Sequence, residues 1–271
     1  MAGNNVVAVD LGGTNLRVAL VEGSKIIKYK KFQTPKTKNE LLNVLVSAIS
    51  EVFNKDVKGI GMGSPGPLKN GVILDPPNIP LKNFNLKKFL QDKFKVRVEI
   101  ENDAKCVARS ELVYGCRKNN FFILTLGTGV GGGIIIDGKL YVGVDYGAEL
   151  GQIILNDGRT FENYWQDYRK SSEKIFGRIN PIRELINMKD KRAKKILKDT
   201  TMYLGQGIAS LIHVLDPEVV VLMGGAREAG SRFLNMIKER VSFYSLFPKK
   251  TSIVWSKIEH PGLLGAGLLL K

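Results

Sequence analysis

The chain repeats itself. Sliding it by 115 positions lays residues 11–25 over residues 126–140 without a gap. Leu11 meets Leu126, Gly12 meets Gly127, Glu22 meets Asp137 and Gly23 meets Gly138. Each copy reads as an apolar strand, a glycine loop, a second apolar strand and an acidic-Gly turn, the pattern of a β-hairpin. A repeated supersecondary unit constrains a fold more than any single element, because each copy has to find equivalent neighbours. The expectation is a duplicated architecture whose two glycine loops face each other across a cleft. At 271 residues the chain is long enough for two domains, taking ~150 residues for each.

The rest of the pattern is α/β. The first hairpin (residues 6–9 and 16–21) is followed by a third β-type run at 25–32. Leu41, Leu42, Leu45, Val46, Ile49 and Phe53 have the spacing of an amphipathic helix over 38–53. A strand near 58–62, an irregular Gly/Pro stretch over 63–83, a short helix, a strand at 96–101 and a helix at 103–114 follow. The second half opens with a strand at 121–126, a glycine cluster and two further β runs. Helical, charge-rich sequence runs from about 162 to 215, then a buried-type strand at 219–223, a helix, a strand at 251–255 and a terminal helix at 263–270.

Composition narrows the function classes. With 44% hydrophobic and 25% charged residues, the chain is neither disordered nor fibrous. Lys+Arg 41 against Asp+Glu 26 gives +15, which suits a polyanionic partner or a lysine-rich solvated surface. The run from Lys189 to Lys198 is interspersed with Ile196 and Leu197, which favours a solvated helix face over a nucleic-acid surface. Cys106 and Cys116 sit in one helical segment and suggest neither a bridge nor a metal cluster. His213 and His260 are too far apart in sequence to mark a site by themselves. No secretory signal opens the chain and no run approaches the roughly 18 apolar residues of a membrane span, so a cytoplasmic protein without a membrane partner is expected.

Gly127, Gly129 and Gly132 satisfy the G-x-G-x-x-G spacing directly after a strand. A dinucleotide site also needs a helix next, whose N-terminus takes the pyrophosphate. Here a second β run follows instead, and no Walker A spacing occurs. What remains is a pair of glycine hairpin loops whose exposed backbone amides can cup an anion, because no Cβ blocks its approach. Asp10 and Thr14 bracket the first loop and Thr128 lies in the second. An acid beside a phosphate cup makes sense where a hydrated Mg²⁺ intervenes. Two ordinary hairpin turns are the competing explanation.

Residues 10–17 (Asp-Leu-Gly-Gly-Thr-Asn-Leu-Arg) resemble the first phosphate loop of the ROK family of repressors, open reading frames and sugar kinases. Further resemblances follow in family order along nearly the whole chain: Gly61 to Pro67, Pro77-Asn78-Ile79-Pro80, Glu101-Asn102-Asp103-Ala104, Leu126 to Gly133, Gly147 to Gly151, Asp216-Pro217-Glu218 through Gly224-Gly225, and Gly262 to Ala266. The resemblance implies a duplicated ribonuclease-H-like fold of the actin/hexokinase type, two-lobed, with ATP and sugar in the interlobe cleft. The small N-terminal lobe is expected over 1–105 plus 259–271 and the large C-terminal lobe over 106–258.

The same resemblance implies roles. Asp103 would be the general base that accepts the proton of the attacking sugar hydroxyl, at a strand-to-helix junction where a helix cap is the alternative. Gly66, Asn78, Asn102, Asp103, Glu149, Gln152 and Glu162 would bind the sugar. Gly12, Gly13, Thr14, Asn15, Gly127, Thr128, Gly129, Gly224 and Gly225 would bind ATP, with Mg²⁺ held by Asp10 through water.

Two departures bear on substrate choice. Gln152 stands where the family usually has His, and the zinc-bearing cysteine stretch is replaced by Asn156 to Tyr164. No structural zinc is therefore expected; packing by Phe161, Tyr164 and Trp165 would hold that loop. The family's repressors carry a DNA-binding domain ahead of the first loop, for which the ten residues up to Asp10 leave no room, so nucleic acid is not an expected partner. Dimers are frequent among relatives, which allows a homodimer, and nothing in the sequence marks an interface. The expected activity is ATP-dependent phosphorylation of a hexose, glucose first. N-acetylmannosamine, N-acetylglucosamine or fructose kinases are the alternatives within the class, and a sugar-responsive regulator without catalysis is the alternative outside it.

Overall fold

A computed structural model describes residues 5–76, 78–247 and 251–271. They divide into two units: Met1–Arg117 with Val142–Gly147 and Ile258–Lys271, and Lys118–Tyr141 with Ala148–Lys257.

The first unit begins with an antiparallel meander of β1 (Asn5–Leu11), β2 (Asn15–Glu22) and β3 (Lys25–Gln33). Parallel strands need a crossover. Helix α1 (Lys38–Val52) supplies it, and β4 (Val57–Ser64) lies parallel to β1. Thr37 caps α1 at the Glu40 amide, and Leu41, Leu45, Ala48, Ile49 and Val52 form its buried stripe. The Gly/Pro stretch predicted to be irregular contains short strands β5 (Leu68–Lys69) and β6 (Val72–Ile73), which pair with each other, and β6 pairs in turn with β7 (Phe84–Asn85). Helix α2 (Leu86–Phe94) then delivers β8 (Arg97–Asn102) parallel to β4, and α3 (Asp103–Tyr114) follows. The sheet order is β3-β2-β1-β4-β8.

The expected change of lobe at residue 105 would cut α3, and the chain leaves the first unit only after Arg117. Packing explains why. The C-terminal helix Pro261–Gly267 lies against α3 so closely that a side chain on Gly265 would collide with the Cys106 backbone, and one on Gly61 with Ala266. The terminal glycines are thus contact points between backbones. Residues 142–147, expected in the second lobe, also join the first unit, where Asp145 pairs with Lys69 at 2.8 Å.

The second unit repeats the plan. Strands β9 (Phe121–Leu126), β10 (Val130–Ile136) and β11 (Lys139–Tyr141) form a meander. A short 3-10 turn, Leu150–Gln152, precedes the hairpin of β12 (Ile154–Asn156) and β13 (Arg159–Thr160). The helical region comprises α4 (Phe161–Phe176), α5 (Ile182–Leu185) and α6 (Lys191–Leu215), broken where Gly177 takes φ 73° and closes α4. Along α6 the basic run is amphipathic: Ala193, Ile196 and Leu197 are buried while Lys194, Lys195 and Lys198 are exposed. Then β14 (Val219–Met223) pairs parallel with β9, and α7 (Gly230–Tyr244) leads to β15 (Ser252–Trp255), parallel to β14. The order β11-β10-β9-β14-β15 reproduces the first sheet position by position, with the same pairing senses. This is the duplicated ribonuclease-H-like arrangement.

The duplication is real, but the gapless match fails after the loop. Leu11 faces Leu16, so residues 12–15 form the first loop; Leu126 faces Val130, so residues 127–129 form the second. Leu16 therefore corresponds to Val130, an offset of 114 rather than 115. Burial confirms the shift. Residues 16–22 and 130–136 share one sequence of states: buried, half-buried, four buried, exposed. The pairing of Glu22 with Asp137 and of Gly23 with Gly138 is a coincidence of composition.

Among the described residues no helix is long and apolar enough to cross a membrane.

Candidate active site

The expected site residues fall into two groups, one in each unit. Asp10, Gly12 to Asn15, Gly66, Asn78, Asn102 and Asp103 belong to the first, and Gly127 to Gly129, Glu149, Gln152, Glu162, Gly224 and Gly225 to the second.

In the first group the loop is held by its carbonyls. The Gly12 carbonyl accepts from Thr34 Oγ1 at 2.6 Å, that of Gly13 from Lys36 Nζ at 3.1 Å, and that of Thr14 from the Thr34 amide at 3.0 Å. In a trans peptide the C=O of one residue and the N–H of the next point in opposite directions. Fixing these three carbonyls on the side of residues 34–36 turns the amides of Gly13, Thr14 and Asn15 the other way, as an anion cup requires. Asn78 packs directly on this loop, since a methyl group on Gly13 would lie 2.6 Å from Asn78 Cβ. The segment expected to bind sugar and the loop expected to bind phosphate are thereby joined. Gly66, at φ +85°, lies where a side chain would come within 2.8 Å of Pro76 Cα.

The backbones of two acidic residues border Gly63. Asp10 is its register partner on β1. A methyl group on Gly63 would lie 3.3 Å from Asp103 Cα and 3.4 Å from Cys106 Sγ. Burial pushes the Asp10 carboxyl up, against the opposing pull of Arg17, whose Nη1 is 2.8 Å away, and of His260. Burial also raises the Cys106 thiol well above its ordinary value, helped by the charges of Glu101, Asp103 and Asp10. An inert thiol results.

The capping role at the junction belongs to Asn102. Its Oδ1 accepts from the amides of Ala104 and Lys105 at 3.0 and 3.2 Å. Asp103 is the first residue of α3, and its Oδ1 accepts from the Ala104 amide at 2.7 Å. The strand and the helix together fix the backbone of Asp103 at the end of β8.

In the second group the same peptide logic recurs with different partners. The Gly127 carbonyl accepts from Trp165 Nε1 at 2.9 Å, that of Thr128 from Gln166 Nε2 at 2.5 Å, and that of Gly129 from the Gly127 amide at 3.0 Å. Glu162, in the first turn of α4, accepts from the Val130 amide at 3.4 Å, and a methyl group on Gly129 would lie 2.9 Å from its Oε1. Gly224, at φ +99°, sits against the Leu126 carbonyl at the mouth of the loop. Gly127 and Gly225 have no described atom within 4 Å of a Cβ position and no positive φ. Among the described residues neither packing nor a positive φ demands glycine there.

Glu149 precedes the 3-10 turn and Gln152 ends it, both exposed. That turn lies on β10: a side chain on Gly132 would strike Leu150, and one on Gly151 would strike the Val130 carbonyl. The segment that replaces the family's zinc stretch is held by polar and aromatic contacts. Arg159 forks onto Asp167 at 2.9 and 2.8 Å, Tyr164 Oη donates to the Asn156 carbonyl at 3.2 Å, and Tyr164 stacks on Tyr203 with centroids 3.7 Å apart. The expected packing of Phe161, Tyr164 and Trp165 is present, since all three are buried.

Trp165, Gln166, Thr34 and Lys36 were not legible as site residues. No motif marks them, because each reaches its loop across 22 to 38 positions of chain.

A glucokinase from Thermotoga maritima is 29% identical over 307 aligned residues, covering 98% of this chain and 97% of that protein. A xylose repressor from Bacillus spizizenii is 31% identical over 203 residues, covering 68% of this chain and 52% of that protein. The crystal structure of a ROK hexokinase from Thermus thermophilus superposes with a TM-score of 0.84 at 28% identity, covering 98% of this chain and 97% of that one. The ROK family model matches residues 6–271, and the chain belongs to the ROK family.

Proposed function

We propose that this chain transfers the γ-phosphoryl group of ATP to a hydroxyl of a hexose, with glucose as the first substrate. The observation that carries the reading is the repeated loop. Two topologically equivalent hairpins each have their carbonyls pinned, which turns successive amides outward, and the strand that leads into the first loop pairs with Gly63, whose Cβ position lies 3.3 Å from Asp103 Cα. Phosphoryl transfer needs mainly alignment and charge stabilisation, so amide cups and one base are a sufficient protein contribution.

In this reading the amides of Gly13 to Asn15 and of Thr128 and Gly129 hold phosphate oxygens. Asp103 Oδ takes the proton of the attacking hydroxyl. Asn78, Asn102, Glu149, Gln152 and Glu162 orient the ring through its hydroxyls, each carboxylate accepting from two neighbouring groups. Mg²⁺ suits the donor set, for it keeps most of its water and uses one or two carboxylates beside the phosphates. Asp10 would hold it, and when bound it neutralises phosphate charge. Among the described residues no cluster of three metal-ligating side chains offers a closed cage.

The test is ADP formation across glucose, mannose, fructose, N-acetylglucosamine and N-acetylmannosamine. Asp103→Ala should lower kcat by about 10²- to 10⁴-fold while sugar binding stays measurable by calorimetry. Turnover near the wild-type rate in that variant overturns the assignment of the base. A second reading, a sugar-responsive regulator without catalysis, draws on the likeness to the xylose repressor; sugar binding with no ADP from any of the five sugars would establish it instead.

A further inference from the structure

Helix α4 presents three side chains of one face to the second glycine loop: Glu162 to the Val130 amide, Trp165 to the Gly127 carbonyl and Gln166 to the Thr128 carbonyl. We propose that Trp165 and Gln166 are positioning residues for the nucleotide, holding the loop's carbonyls back so that the amides of Thr128 and Gly129 are preset toward an anionic ligand. The inference rests on the kinase reading and adds to it the residues that set nucleotide affinity.

Packing alone does not require these contacts. Trp165 is 2% exposed and meets Tyr168 edge-on with centroids 4.7 Å apart, so its ring belongs to the core whatever its N–H does. The N–H is nevertheless spent on a loop carbonyl. Gln166 is only half-buried, so water is an available partner for its amide. Instead it takes the very next carbonyl. Two consecutive carbonyls bound from one helix fix two consecutive peptide planes, and the opposite edges of those planes are the Thr128 and Gly129 amides. The outer side of the loop is open, as the empty space around Gly127 shows.

The helix is itself braced from its other side. Thr160 and Asn163 form a reciprocal capping box, and Arg159 forks onto Asp167. A rigid support of this kind keeps a cup open before the ligand arrives, which lowers the cost of ordering it on binding.

The test compares Trp165→Phe, which keeps an aromatic ring and removes the donor, with Gln166→Leu, which removes the amide from a half-exposed position. Binding of the Mg²⁺ complex of the non-hydrolysable analogue AMP-PNP is measured by calorimetry without sugar, beside steady-state kinetics. Each variant should weaken AMP-PNP binding and raise KM for ATP by about fivefold, the usual worth of one hydrogen bond, and the double variant by more. The KM for sugar and kcat should stay within about twofold, a split that a general loss of structure does not produce. Unchanged AMP-PNP affinity in both single variants overturns the proposal, and so does a parallel fall in kcat and rise in both KM values. Wild-type protein that binds no AMP-PNP overturns the kinase reading itself, a result distinct from either of these.

Discussion

The two hairpins have one topology and two solutions to the same local problem. At the cross-strand position before each loop the first hairpin places Asp10 opposite Arg17, an ion pair at 2.8 Å, and the second places Thr125 opposite Gly131, whose amide donates to Thr125 Oγ1 at 3.1 Å. In the next two positions along the same strands, Val18 and Ala19 of the first correspond to Gly132 and Gly133 of the second. The first loop is held by an extended segment, residues 34–36, and the second by a helix. Sheet order survived duplication because it is fixed by pairing and crossover connections, whereas each loop's support was free to change with whatever packs on it. The glycines of β10 are the trace of that change: Leu150 lies where the Val18 side chain would be.

Exchanging residues between the copies tests this directly. Gly132→Val should have the largest effect, since the side chain collides with Leu150 and overpacking of this kind costs about 3 kcal/mol; urea denaturation should show it, and a variant as stable as the parent would break the comparison. The converse, Val18→Ala, opens a cavity at a fully buried site and should cost about 2 kcal/mol. Next in size is the contrast between the loops themselves. Gly13→Ala meets Asn78 Cβ at 2.6 Å and should destabilise by about 1 kcal/mol or more. Gly127→Ala meets nothing in the chain, so its stability should change by less than about 0.5 kcal/mol. Any rise in KM for ATP at 127 then reports ligand approach, and an equal stability loss at both positions would end the distinction.

The fold was largely legible because its signals are local. Alternation at 16–21, the stripe Leu41–Leu45–Ile49 and the apolar run at 219–223 each announce an element without knowledge of the rest. The repeat was legible too, but not its register. Glycine-rich segments match one another at neighbouring offsets, and only the cross-strand partners of Leu11 and Leu126 decide which is right. At the candidate site, the motif pointed to Asp103, which stands as the first residue of α3. That Asn102 would be the cap could not be read from it, because both residue types suit that role and the choice turns on backbone geometry. The supports of the loops were invisible for a simpler reason: a tryptophan 38 positions away from the carbonyl it holds carries no mark of that contact in the sequence. The boundary at 105 failed similarly, since the packing of Gly265 on Cys106 is long-range.

The smaller differences between the hairpins lie at Asp10 and Thr125. Thr125→Val keeps the shape and leaves the Gly131 amide without its acceptor, which should cost about 1 kcal/mol with little dependence on pH. Asp10→Asn should do the opposite, weakly and with a pH signature. Burial raises the folded-state value of Asp10 above its ordinary 3.8. Below 3.8 the carboxyl is neutral in both folded and unfolded chains, and the native state bears no penalty. As pH rises through the raised folded value, the unfolded chain ionises more readily and stability is lost. Asparagine does not ionise and still offers Arg17 an acceptor. The variant should therefore melt about one or two degrees higher than the parent at neutral pH, with the gain shrinking as pH falls toward 3.8. Its KM for the Mg²⁺ complex of ATP should rise at the same time, so that stability and nucleotide affinity move apart. A variant that melts lower at neutral pH would show that the Arg17 pair outweighs burial, and the first hairpin would then be held by its charges rather than in spite of them.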